Sequence, residues 1–197
     1  MTLYETEFAS FMKTTVPWDS PNYDFKNSPF VKRQELVKKY AWAILTDKAI
    51  EQLRKYGPFI EVGCGNGYWS FEMQQAGIDT IATDINPVQS NEYGFNKTWP
   101  IEVVAMNAID AAKAYSNRTL LTVWPCYKQS WIDMTLRFFL KSGGKQILYI
   151  GEGKWGCTGN DSFHNRLARC CDKIDEIDIP RWEGINDRGY VYQRKGA

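Results

Sequence analysis

Histidine is almost missing from this chain: His164 is the single imidazole. The five cysteines include no Cys-x-x-Cys pair. A zinc or other His/Cys metal centre therefore has little to build on, and no metal site is expected. The odd cysteine count also argues against a disulfide framework, so a reducing, cytoplasmic compartment is expected. No run approaches 18 uninterrupted apolar residues, and no membrane span is expected. The first residues lack a basic stretch followed by an apolar core, so no secretory signal is expected either. An excess of one charge is lacking too. The 24 basic and 23 acidic side chains leave a formal +1, which disfavours a chain that coats nucleic acid or another polyanion.

What is present fits one soluble domain. The 197 residues suffice for one full core and are tight for two. Aromatics reach 15%, with eight Trp and eleven Tyr; such rings stock either a core or a ring-lined pocket. Residues 1–30 read as an arm. Pro17, Pro21 and Pro29 sit among Asp, Asn and Ser, which disfavours a long regular element. Trp18, Tyr23, Phe25 and Phe30 argue against a disordered tail. The arm is expected to pack on a single domain spanning 31–197. It either covers the active site or mediates a dimer, and the oligomeric state stays open.

A helix is expected over 31–55, where Leu36, Tyr40, Ala43, Ile44, Ala49, Ile50 and Leu53 recur at helical spacing and Gly57-Pro58 ends the run. Its cluster of Lys32, Arg33, Lys38 and Lys39 reads as a solvated face, with a local phosphate patch as the alternative. From there the period alternates. Strands are expected at 59–62, 79–83, 101–104, 120–124, 146–150, 174–179 and 190–193. Helices are expected at 69–76, 87–94, 109–115, 132–140 and 164–171. Strand-helix alternation with short turns implies an α/β fold: a doubly wound, mostly parallel seven-stranded sheet with helices on both faces.

The strongest local signal is the run Phe59-Ile-Glu-Val-Gly-Cys-Gly-Asn-Gly-Tyr-Trp69, a strand feeding three spaced glycines and then a helix. Glycine lets backbone turn sharply and approach a ligand closely, and the following helix offers free N–H groups. Asp84 ends the second strand, 21 positions after Gly63. In doubly wound folds an acid at that place accepts hydrogen bonds from a ribose diol; the alternative is a turn Asp capping Asn86-Pro87. A dinucleotide usually takes Gly-x-Gly-x-x-Gly, and here the third glycine comes one residue early. Glu61 inside the strand also suits a cationic amino acid or sulfonium and repels a pyrophosphate.

These residues resemble the first motif of class I S-adenosylmethionine-dependent methyltransferases. The resemblance covers roughly 59–150 and implies S-adenosyl-L-methionine as cofactor. It implies that Glu61 orients the methionine amino group, directly or through water, and that Gly63, Gly65 and Gly67 shape the bed. It further implies that Asp84 holds the ribose, that Ile85 packs on the adenine, and that Asn107 and Ala108 touch the adenine ring.

The fourth strand runs into Trp124-Pro125-Cys126-Tyr127. Methyltransferases of nucleobase or glutamine nitrogens carry Asp or Asn, two prolines and an aromatic at the similar place. This chain has Trp124 in place of the hydrogen-bond acceptor and Cys126 in place of the second proline. It looks closer to a poorly characterised methyltransferase-like group, through Tyr40-Ala-Trp-Ala43, Trp124-Pro-Cys-Tyr127 and Gly151-Glu-Gly-Lys-Trp-Gly-Cys-Thr-Gly159. Trp124 and Tyr127 are candidate walls for a planar acceptor. Glu152, between two glycines at the end of the fifth strand, is a candidate proton acceptor; its alternative is a cap or a buried link to Lys154 or Arg166. His164 reads as a surface or capping residue. The function expected is methyl transfer to a small or planar acceptor. Cofactor binding without transfer, or cofactor cleavage, are the alternatives; nucleic-acid N-methylation and nicotinamide binding are disfavoured.

Overall fold

The computed structural model describes residues 1–16, 19–87, 98–127 and 129–197. Its elements are α1 (Leu3–Met12), α2 (Pro29–Lys39), α3 (Asp47–Leu53), β1 (Phe59–Val62), α4 (Tyr68–Gln75), β2 (Thr80–Asp84), β3 (Val103–Ala105), α5 (Ala108–Ala114), β4 (Thr119–Val123), α6 (Trp131–Lys141), β5 (Gln146–Gly151), α7 (Asp161–Cys170), β6 (Cys171–Ile177) and β7 (Arg188–Arg194). The strands form one seven-stranded sheet in the order β3-β2-β1-β4-β5-β7-β6. The first five strands in this order pair in parallel, and β7 runs antiparallel between β5 and β6. The expected doubly wound, mostly parallel sheet is therefore present. The helix expected at 87–94 lies largely outside the described residues.

Burial on both faces explains why the strands read as continuous apolar runs rather than alternating ones. In β1 and β4, Phe59 and Leu121 join one core, while Ile60, Val62 and Leu120 join the other. In β5, Leu148 and Ile150 face the first core and Ile147 and Tyr149 the second. Side chains alternate across a strand, and helices cover each side. The sheet order reverses at β1, which pairs with β2 on one side and β4 on the other. A crevice opens beyond the carboxyl ends of strands at such a reversal.

Two expectations are corrected. Residues 1–30 include a ten-residue helix, α1. The prolines begin at Pro17, so nothing in 3–12 blocks it, and Thr2 caps its first turn by accepting from the Glu5 amide. The segment 31–55 is not one helix. α2 stops at Lys39 and α3 begins at Asp47, capped by Thr46. Carbonyls that would carry the helix onward are taken from outside: Lys39 O by Asn66 Nδ2, Ala43 O by Trp69 Nε1, and Leu45 O by Thr2 Oγ1. Those tertiary bonds satisfy the backbone without helix. The break places Trp42 at the sheet's carboxyl edge.

α1 closes the first core. Tyr4 is fully buried, stacks on Tyr40 at 4.8 Å and accepts from Trp182 Nε1 at 3.3 Å. Phe8 and Phe11 pack against the same Trp182 ring. Replacing Tyr4 by Ala removes a buried ring and leaves the Trp182 donor unpaired. We expect a loss of about 3–5 kcal/mol, measured by urea unfolding; a loss below about 1 kcal/mol would mean that α1 does not close this core.

Candidate functional site

A cleft of about 830 Å³ opens at the carboxyl ends of β1, β2 and β4. Its floor is the loop after β1. Gly63, Gly65 and Gly67 have φ of 66°, 59° and 81°, the left-handed region that side chains rarely adopt. A Cβ on Gly63 would lie 3.1 Å from the Trp131 ring, and one on Gly67 would lie 3.0 Å from Ile101. Glycine is thus required twice over, by backbone angle and by close approach. Trp131, at the start of α6, escaped the sequence reading because its neighbour across the cleft is far away in the chain.

Two carboxylates flank this loop. Asp84 at the end of β2 accepts from the Gly65 amide at 2.9 Å and from the Asn86 amide at 2.9 Å. The Asn86 contact is the turn role expected as the alternative, and the Gly65 contact ties the glycine loop to β2. Each oxygen keeps a further lone pair. Glu61 points from β1 into the same cleft and is 1% exposed. It accepts from the Ser70 hydroxyl of α4. Burial pushes its carboxyl up to about 7, the Ser70 hydrogen bonds oppose the rise, and the Asp84 charge adds to it.

The expected cofactor-contact residues are brought together. Glu61, Gly63, Gly65, Asp84, Ile85, Asn107 and Ala108 all line the cleft, whereas Gly67, the N-cap of α4, is not in the lining. Ile85 is 69% exposed, an apolar side chain without cover. Asn107 caps α5 by accepting from the Asp110 amide at 3.0 Å.

The expected catalytic trio is split. Trp124 lines the cleft. β4 ends one residue earlier than expected, and Trp124 adopts a left-handed φ of 54°, which costs a non-glycine residue roughly 1–2 kcal/mol. It is held by a 2.7 Å hydrogen bond from Nε1 to Asp187 and by a parallel stack on Trp42 at 4.6 Å. Tyr127 is exposed and lies outside the lining. Glu152 is buried outside it as well. Its oxygens accept from the Cys157 amide at 2.7 Å and the Asn186 amide at 2.8 Å. Burial raises this carboxyl, but hydrogen bonds from Cys157 and Asn186 outweigh it and hold it below the usual carboxylate range. Neither Lys154 nor Arg166 is its partner; they pair with Asn165 and Asp133. His164, expected at the surface, is buried in α7 against the Thr158 carbonyl at 2.9 Å.

Among the described residues no group of acids, cysteines and histidine is arranged to hold a metal ion. None of their helices is long and apolar enough to cross a membrane.

No protein-family model matches the chain, and no curated protein matches it in sequence. Solved structures match it in fold. Magnesium protoporphyrin IX methyltransferase from Synechocystis PCC 6803, with S-adenosylmethionine bound, is 13% identical over 99% of each chain, with a TM-score of 0.51. A putative tRNA (m1A22) methyltransferase from Streptococcus pneumoniae is 11% identical over 76% of this chain and 71% of that one, with a TM-score of 0.50. The likeness defines a fold class: the α/β fold of the class I methyltransferases.

Glu61 gives the site a measurable signature. A carboxyl raised to about 7 in the fold favours the folded state below the usual carboxylate range, and that contribution is lost as pH climbs through 7. Glu61→Gln keeps an acceptor for Ser70 and removes the charge. We expect it to gain about 1–3 kcal/mol over the unsubstituted chain at pH 8, with the gap closing toward pH 5. Paired chemical unfolding at the two pH values checks this; a gap of equal size at both would mean Glu61 does not titrate there.

Proposed function

We propose that the protein is an S-adenosylmethionine-dependent methyltransferase acting on a small or planar acceptor. The observation that carries this reading is the pair of carboxylates, Glu61 and Asp84, set on either side of a glycine loop at the sheet's reversal point. Among the described residues the lining holds Glu61, Asp84 and Asp110 and no Lys, Arg or His. That donor set fits a ligand bearing an ammonium, a sulfonium and a ribose diol. It does not fit a pyrophosphate, whose charge it would repel.

In this reading Glu61 receives the amino group and Asp84 the ribose hydroxyls, through the lone pairs its two amide contacts leave open. Gly63, Gly65 and Gly67 let the backbone approach. Ile85 and Ala108 cover the adenine faces, and Asn107 meets its edge. Bound there, the cofactor supplies a methyl group already activated on a cationic sulfur. The chain's share is alignment of the acceptor with that group, and Trp124 with Trp42 supplies the wall for it. Tyr127, exposed one residue beyond the lining Cys126, is the residue assigned to pass a proton out to water. Glu152 gives both oxygens to amides and serves the wall by holding its loops.

Isothermal titration with S-adenosylmethionine and S-adenosylhomocysteine tests the reading. We expect saturable binding of both, weakened at least about tenfold by Asp84→Ala, a loss that one charge-assisted hydrogen bond accounts for. A folded sample that binds neither would remove the proposal. The affinity has a pH dependence of known sign. An ammonium prefers ionised Glu61, so protonating this carboxyl below about 7 opposes binding. Between pH 7.5 and 6 the affinity is expected to fall about eightfold, following the loss of the ionised carboxylate, and Glu61→Gln is expected to bind weakly with a flat profile. A fall of the same size in the variant would assign the titration to another group.

A further inference from the structure

We propose that Asp187 is the positioning residue of the acceptor subsite: it fixes the Trp124 indole, which with Trp42 makes the flat wall that receives a planar, uncharged molecule. The inference rests on the cofactor reading for the word acceptor; the wall itself is geometry. Asp187 does not line the cleft. Its carboxylate is 2% exposed and accepts from Trp124 Nε1 at 2.7 Å. Trp124 and Trp42 both border the cleft and lie parallel within 6°, with ring centres 4.6 Å apart. An indole on a left-handed backbone, φ 54°, stays in one place only where its surroundings over-determine it. Here the Trp42 stack fixes the plane of the ring, and Asp187 fixes its rotation within that plane.

The turn that carries Asp187 is itself pinned at several points just before that residue. Its Trp182 lies under α1 against Phe8 and Phe11, and the Ile185 amide closes back on the Trp182 carbonyl at 3.0 Å. The Asn186 amide donates to Glu152 at 2.8 Å. Asp187 therefore meets the indole from a preset position, as a residue acting through its neighbour should. The ligand class follows from the wall. Stacked indoles offer flat apolar surface with a negative face. The nearest described cation is Arg33, whose guanidinium lies 5.5 Å from the Trp42 centre and 5.9 Å from that of Trp124. It lies outside the lining, and its charge acts on both Glu152 and Asp187. An anionic acceptor finds no described cation within the cleft.

The test uses the full chain, nitrogen-15 labelled and loaded with S-adenosylhomocysteine, with quinoline as the flat neutral probe and quinoline-4-carboxylate as its anionic counterpart. Trp124→Phe and Trp42→Phe assign the indole N–H signals. We expect quinoline to shift both signals saturably and the carboxylate to bind at least about fivefold more weakly, as unscreened carboxylates in the cleft require. Asp187→Ala is expected to weaken quinoline at least about fivefold and to speed hydrogen exchange at Trp124 Nε1 at least about tenfold, since the protecting bond is gone. The S-adenosylhomocysteine affinity should stay within about twofold, because the site of change lies beyond the cofactor's bed. Asp187→Asn, whose amide oxygen can still accept, is expected to restore quinoline binding. Asp187→Ser is too short to reach the indole and repeats the loss if the alanine variant does not fold. Unchanged quinoline affinity in Asp187→Ala and Asp187→Ser, failure of Asp187→Asn to restore it, or quinoline that moves neither indole would overturn the proposal. Quinoline titration without S-adenosylhomocysteine keeps the two readings apart: a wall that responds in a chain that binds no cofactor sinks the methyltransferase reading alone.

Discussion

A carboxylate buried in the central strand, with a serine hydroxyl for company, sets the terms for the rest of the cleft. Glu61 occupies a position in β1 that its neighbours Ile60 and Val62 would suit an apolar residue to fill. Burying it raises its carboxyl to about 7, and that cost is relieved where a cation arrives. The glycine loop above it and Asp84 beside it extend the same logic. The loop must bend through left-handed angles to leave the space open, and Asp84 ties the bend to β2 through the Gly65 amide. A concave site lined by carboxylates, placed where the sheet order reverses, suits a cation better than a phosphate.

Three buried acids around the strand ends do three different things, and their partners explain why. Glu61 is under-paired and faces the cleft. Glu152 accepts from two amides, is held below the usual carboxylate range, and joins the loop after β5 to the turn before β7. Asp187 accepts from one indole; burial and the Glu152 charge push it up to about 7 against that hydrogen bond. The loop after β5 is further tied to the end of β4 by the Gly159 amide on the Pro125 carbonyl at 2.8 Å and by the bridge between Cys126 and Thr158. The side of the cleft around Trp124 is thus a set of loops stapled by polar side chains and backbone bonds. The side formed by β1 and β2 is a glycine loop flanked by the Glu61 and Asp84 carboxylates.

The convergence of Glu61, the glycine loop and Asp84 on one cleft was legible in the sequence because these parts are local. A strand, a glycine loop and an acid one strand-helix-strand unit later lie within about one supersecondary motif, and their spacing follows from the motif. The surroundings of Trp124 were legible only in part. Trp124 announced itself by its place just after the fourth strand, but its partner Asp187 lies 63 residues downstream and Trp42 lies in the segment between α2 and α3. Glu152 looked like a chemical acid because it follows a strand between glycines. Its amide partner at Asn186, 34 residues away, leaves no mark in the local pattern.

The chain's alternation of apolar runs, turns and glycines determined the doubly wound sheet, because each run has the length and period of the element it forms and both faces of the sheet must be covered. Composition, with one His and no Cys-x-x-Cys pair, leaves little from which to build a cysteine-histidine metal centre. Tertiary structure alone decided where the segment after α2 leaves the helix. Tyr40, Ala43 and Ile44 are buried at helical spacing either way, and the choice fell to carbonyls bonded by Thr2, Asn66 and Trp69. It also decided which carboxylates face the cleft. Periodicity tells how a backbone will run, but an acid's role depends on which distant donors reach it.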